Sequence, residues 1–216
     1  MNLLENVEKA LQTFHHPKTS DYRKIATKLH KAYQSIPKET LFNECENLLK
    51  TNKTPHTIIA YDLVFKRRST FESNDFNQFE HWVKTYLKDW WDVDDFGTHA
   101  LGYHLMVYPE NFTKINQWTT HQNFPVRRMA AVVLIYAIRK NTLSTLKPFD
   151  IAKNLLEDEH YLVQKGYGWM LKELSVHHPN DVINFLHTHI NHMPRTAFRY
   201  ALEKLPKETK QKMMKR

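Results

Sequence analysis

The sequence predicts an all-α chain: a right-handed α-α superhelix of HEAT-like helical hairpin repeats with a basic concave groove. Three observations carry that expectation. The 216 residues include only 4 glycines, and several of the 9 prolines stand just ahead of apolar-periodic stretches, where proline suits the first turn of a helix. Apolar residues recur at helical spacing along most of the length. The second helices of successive pairs begin near Pro55, Trp91, Pro125, Tyr161 and Pro194, in steps of 36, 34, 36 and 33 residues, the near-constant period of a helical solenoid. HEAT-type units fit better than tetratricopeptide units, whose small and aromatic signature positions are missing. First helices are expected to form a convex wall and second helices a concave one.

Taken in order, Leu3, Leu4, Val7, Ala10, Leu11 and Phe14 mark a first helix that stops before His15-His16-Pro17. Ser20 is a candidate cap for the next, with Tyr22, Ile25, Ala26, Leu29 and Tyr33 on its apolar side. Pro37 opens a third helix that runs to the polar break Thr51-Asn52-Lys53, and Thr54-Pro55 opens a fourth that ends in Lys66-Arg67-Arg68. A helix through Phe79, Trp82, Val83, Tyr86 and Leu87 leads into Trp90-Trp91-Asp92-Val93-Asp94-Asp95 and a second helix ending at Tyr108-Pro109. Ile115 to Trp118 is a short helix, and the one from Phe124-Pro125, apolar almost all round from Met129 to Ile138, should be well buried. Pro148, Tyr161 to Leu174, Val182 to Ile190 and Thr196 to Leu205 complete the series, and Lys207 to Arg216 reads as a frayed basic end.

Composition narrows the partners. Lys and Arg outnumber Asp and Glu by 31 to 23, a net charge of +8, which makes phosphate backbones or anionic membranes plausible ligands. The single cysteine, Cys45, excludes an internal disulfide framework and any multi-cysteine zinc site. Residues from Met1 show no basic run followed by an apolar block, and no stretch approaches a membrane span, so a cytoplasmic protein without a membrane partner is expected. One domain, residues 1–216, is the expected organisation.

Chemistry is expected at 90–95. On a helix, Trp91 and Asp95 lie four residues apart and project a flat apolar ring and a carboxylate side by side. A carboxylate in a groove that binds a polyanion weakens binding, so it is better explained by chemistry than by affinity. Trp90 points about 100 degrees away and reads as packing. Asp92 and Asp94, near a helix start, are explained by the dipole and capping. Cations recur near second-helix starts: Arg127, Arg128, Lys165, Arg195 and Arg199. At a helix start cations are mildly unfavourable, so a phosphate partner accounts for Arg127 and Arg128 better than helix stability does. Lys165, Lys172, Arg195 and Arg199 are candidate phosphate contacts. Gly166 and Gly168 flank Tyr167 just before Trp169 and suggest close helix approach or room for a ligand. His187, His189 and His192 lack a neighbouring cysteine or carboxylate at ligand spacing, and no metal is expected there.

The runs WWDVDD at 90–95, PVRRMAA at 125–131, VQKGYGWMLKE at 163–173 and MPRTAFRYALEK at 193–204 resemble, in order and separation, the AlkD-like DNA alkylation repair glycosylases, a HEAT-like repeat family. The resemblance implies Asp95 as catalytic carboxylate, Trp91 and Trp169 as aromatic walls around the damaged nucleotide, and Arg128 as a contact near carboxylate and phosphate. It implies hydrolysis of the N-glycosidic bond of cationic alkylated purines, such as N3-alkyladenine and N7-alkylguanine, in base excision repair without full base flipping. It implies no cofactor and no metal, alkylated double-stranded DNA as partner, no obligate protein partner, and a monomer. Asp94 stands where the family usually has an apolar residue, and the glycine-containing segment expected ahead of Tyr22-Arg23-Lys24-Ile25-Ala26 is missing. The alternatives are a non-catalytic DNA-binding repeat protein that recognises unusual DNA structures, and a protein-binding scaffold.

Overall fold

The computed structural model describes residues 2–215; Met1 and Arg216, the ends of the expected domain and of the basic tail, lie outside the described residues. Among the described residues every regular element is helical. The helices are α1 (Leu3–Leu11), α2 (Thr19–Ala32), α3 (Lys38–Lys50), α4 (Thr54–Lys66), α5 (Asp75–Tyr86), α6 (Trp90–Gly97), α7 (Ala100–Val107), α8 (Phe112–Gln117), α9 (Phe124–Val132), α10 (Ile135–Arg139), α11 (Pro148–Asn154), α12 (Tyr161–Leu174), α13 (Pro179–His189), α14 (Arg195–Ala201) and α15 (Lys207–Met214). The contacts divide the chain into two compact units, residues 2–88 and 89–215.

The repeat period extends one step further back than the sequence reading took it. Helices α2, α4, α6, α9, α12 and α14 begin at residues 19, 54, 90, 124, 161 and 195, so α2 is a further second helix. It starts at Thr19, and Ser20 lies inside its first turn; Asp21 accepts from the Lys18 backbone N–H at 3.1 Å in place of the expected serine cap.

In the first unit, α1, α3 and α5 pack in sequence as one layer and α2 against α4 as the other. The layers meet over Leu3, Val7, Ile25, Leu41, Cys45, Leu48, Ile59, Leu63, Phe79 and Trp82, all nearly or fully buried. Polar ties fix the helix starts. Lys38 is buried with its ammonium 3.0 Å from Asp75 and 3.1 Å from Glu72, joining the first turns of α3 and α5. Arg67 donates to the Gln34 and Ile36 carbonyls, both at 2.8 Å, and so pins the loop between α2 and α3. Asn52 ends α3 with φ of 56°, a left-handed conformation that asparagine tolerates better than most residues.

In the second unit, α6, α9, α12 and α14 pack side by side, each on the next, while α11 and α13 back onto α12. Two of the second helices are broken. The expected continuous helix from Trp91 to Tyr108 stops at Gly97, where the Thr98 N–H and hydroxyl both close on the Asp94 carbonyl, at 3.1 and 2.7 Å, and α7 restarts at Ala100. The apolar run 129–138 divides into α9 and α10, and every residue in it except Tyr136 is buried, as its all-round apolar pattern predicts. The basic end is not frayed: α15 occupies Lys207–Met214 and anchors itself through Met213, which is 2% exposed.

Candidate functional site

Asp89 caps helix α6, its carboxylate accepting from the Trp90 N–H at 2.6 Å, and Asp92 adds negative charge to the first turn. Val93, Phe96 and Gly97 face the core. That seating decides which acid faces α9.

The acid that meets α9 is Asp94. Arg128 donates from Nε at 3.0 Å and from Nη2 at 2.7 and 3.0 Å to the two Asp94 oxygens, a forked ion pair. Its Nη1 donates to the Leu162 carbonyl on α12. The guanidinium is buried, with Arg128 only 4% exposed. Gly166 makes that crossing possible, because a Cβ there would stand 3.0 Å from the Arg128 Cγ and 3.3 Å from Nη1. Burial pushes the Asp94 carboxyl above the usual carboxylate range; Arg128 pulls it back and neighbouring Asp95 repels it further up.

The sequence reading placed Arg128 beside Asp95, and the structure corrects this by one residue. Oδ1 of Asp95 lies 3.7 Å from His99 Nδ1, one turn on, and the same ring nitrogen donates to the Asp95 carbonyl at 2.9 Å. Trp90, expected as packing, is 48% exposed and stands four residues before Asp94, on the same helix face. Trp91 is half-buried.

Trp169 on α12 is held in place. Its indole N–H donates to Glu173 Oε1 at 2.9 Å, and the Arg139 guanidinium lies over the ring, 5.5 Å from its centroid. Glu173 also receives Arg139 at 3.2 Å and Lys204 at 2.7 Å. Burial alone would raise its carboxyl, yet Arg139, Lys204 and Trp169 together hold it down to about 2. Gly168 serves packing: a Cβ would stand 2.8 Å from the Ala197 carbonyl, so α12 and α14 touch backbone to backbone there.

Of the expected phosphate contacts, several are occupied internally. Arg127 grips Asp158 through Nε at 2.6 Å and Nη2 at 3.3 Å, and its Nη1 reaches the His121 and Gln122 carbonyls, both at 2.9 Å. It therefore clamps the segments that precede α9 and α12, an internal role that the expectation of a phosphate contact did not include. Lys172 likewise meets Glu203 at 2.8 Å. Lys165 is half-buried beside the exposed ring of Tyr161, 4.9 Å from its centroid, and Arg195 and Arg199 project outward from α14. No group of three or more His, Cys, Asp or Glu side chains among the described residues is arranged to hold a metal ion; His192 faces Glu157 at 3.2 Å. No helix among the described residues is long and apolar enough to cross a membrane.

Paired helices in each unit, and in the second a buried guanidinium forked onto an acid one turn after an exposed indole, define the class: a helical-repeat protein with charged groups held on its second helices. Comparison with known families assigns it further, for residues 5–205 match the family described as DNA alkylation repair enzyme, and the chain belongs to it. A solved structure described as "Predicted DNA alkylation repair enzyme from Enterococcus faecalis" shares the fold with a TM-score of 0.76 and 20% sequence identity, covering 94% of this chain and 96% of that one. A search of curated proteins found no match.

Proposed function

We propose that the chain is a monofunctional DNA glycosylase that hydrolyses the N-glycosidic bond of cationic alkylated purines, N3-alkyladenine and N7-alkylguanine, in double-stranded DNA. The observation that carries this reading is the forked Arg128–Asp94 pair on a helix that presents Trp90 one turn earlier. The doubled Trp and doubled Asp of WWDVDD allow two registers for the family motif. Moving the motif back by one residue puts fully buried Val93 at its apolar place and Asp94 at the carboxylate's place, with Trp90 as the partner ring.

An alkylated purine with a formal positive charge is already a good leaving group, so no acid is needed to protonate it. The C1′–N bond breaks, its electron pair returns to the base, and the base departs neutral. What remains is an oxocarbenium-like sugar, which negative charge and π-electron density stabilise. Asp94 supplies the charge, and Trp90 and Trp169 supply ring faces that exclude solvent. Water adds to C1′ and gives its proton to Asp94 on the way to bulk solvent. Arg128 keeps the acid in its charged form and fixes where its oxygens point. Helix α6 carries no lysine that could act as a Schiff-base nucleophile, so the product is an abasic site in an intact strand.

Reading the lesion from sugar and backbone, without extruding the base, avoids the few kcal/mol that flipping costs and suits a side-by-side layer of helices better than a deep pocket does. Lys165, Arg195 and Arg199 are the proposed phosphate contacts, no metal or cofactor takes part, and the monomer is the working form. The test is incubation with duplex bearing N7-methylguanine and detection of free base. Failure to release base from any cationic purine lesion overturns the reading.

A further inference from the structure

Most cations near the candidate site of the second unit are already neutralised: Arg128 by Asp94, Arg127 by Asp158, Arg139 and Lys204 by Glu173, Lys172 by Glu203. The cleft between α14 and α15 differs. It has a volume of about 370 Å³, and Arg195, Arg199 and Lys210 all line it, with Thr196, Tyr200 and Met214 completing the wall. Among the described residues no carboxylate is ion-paired with any of the three. Glu203 borders the cleft, but its carboxylate is taken by Lys172 at 2.8 Å.

Placement makes this more than loose surface charge. Arg195 and Arg199 are four residues apart on α14 and share a face. Lys210 belongs to α15, which is anchored through buried Met213, so its half-buried side chain lines the cleft together with Met214, four residues on. Two forked guanidiniums and an ammonium, with a threonine hydroxyl and a tyrosine ring beside them, match the donor demands of phosphate oxygens.

We propose that the α14–α15 cleft is a phosphate-gripping subsite that holds the duplex backbone away from the lesion, with Lys210 as a contact supplied by the C-terminal helix. This rests on the reading that the chain acts on DNA. The α14 helix packs directly on α12, which carries Trp169, so one backbone can pass both. The contribution is to affinity and register and is independent of sequence.

The test is fluorescence anisotropy of a labelled, lesion-free duplex titrated with the full chain at several salt concentrations. Each lost phosphate contact flattens the plot of log K against log salt by about 0.9. The Arg199→Gln/Lys210→Gln protein is expected to lower the slope by nearly 2 and to weaken binding about tenfold or more at moderate salt. Lys153→Gln, on α11, is expected to keep the wild-type slope. Circular dichroism checks folding, and Lys210→Gln alone, with an expected change of about 1, carries the test if the double variant is misfolded. A folded variant with the wild-type slope overturns the subsite. Release of N7-methylguanine, measured separately, distinguishes the cases: release with an unchanged slope sinks the subsite alone, and a changed slope without release sinks the glycosylase reading alone.

Discussion

Replacing each of the two adjacent acids by its amide separates their roles. Arg128 is 4% exposed and sends three hydrogen bonds to Asp94, so Asp94→Asn leaves a buried guanidinium facing a neutral group. Removing one partner of a buried ion pair costs about 3–5 kcal/mol. The Asp94 side chain is 22% exposed, so water can reach the vacated side, and Leu162 still accepts from Nη1; both place the loss near the lower bound, about 3 kcal/mol. For a protein of this length that is a fall in Tm of roughly 6–12 °C. Asp95→Asn leaves the Arg128 fork on Asp94 in place, so its melting temperature is expected to fall less than that of Asp94→Asn. Chemistry should divide the same way. Losing the preorganised negative charge slows base release about 10²–10³-fold in Asp94→Asn and less than about tenfold in Asp95→Asn. Thermal melting followed by circular dichroism and single-turnover release of N7-methylguanine measure both. A folded Asp94→Asn protein that releases base at the wild-type rate, or an Asp95→Asn protein that has lost release, refutes the assignment.

Base release should fall as acid protonates Asp94, and since burial raises that carboxyl, the acidic limb of the pH–rate profile is expected above the usual carboxylate range; a limb below it would count against Asp94. Glu173 acts in the opposite sense. Its folded-state carboxyl is depressed to about 2, so its stabilisation is full above the ordinary value of 4.5 and is lost as pH falls from there toward 2, in total roughly 3 kcal/mol, which acid titration of stability in wild type and Glu173→Gln should reveal as a flatter dependence in the variant. The same variant should shift tryptophan emission, because the Trp169 indole loses a charged acceptor. Arg127→Ala is expected to lower stability by about 2–3 kcal/mol while leaving the salt dependence of DNA binding at the wild-type slope, since Arg127 is committed to Asp158 and two carbonyls.

The helical architecture was legible because period and punctuation agreed: Pro55, Pro125 and Pro148 stand in the first turns of α4, α9 and α11, and Tyr161 to Leu174 is observed with the expected bounds. The earliest repeat escaped notice because α2 lacks an opening proline and starts from a lysine cap. The break after Gly97 was hidden because no proline marks the turn at Thr98 and His99 between α6 and α7. The stretch that meets Arg128 was legible, but which of its acids does so was not. Trp90/Asp94 and Trp91/Asp95 have identical spacing, and about 100° of helix rotation separates them; the seating of Val93 and Phe96 in the core turns Asp94 toward Arg128. Charge was the least legible quantity. Counting cations gives the net charge but cannot show that Arg127 and Lys172 are spent on Asp158 and Glu203, because those partners lie 31 residues away on neighbouring hairpins.

Cys45 lies on the inward side of α3, fully buried, and that burial pushes its thiol far above the range in which a thiolate forms. Methylating electrophiles react with sulfur as the anion, so the chain's only thiol gives them no target while the first unit stays closed. A protein whose proposed substrates are made by such reagents thereby keeps its one thiol out of their reach. Iodoacetamide should cap Cys45 only when that unit opens, and the capping rate becomes a clock for how often it does.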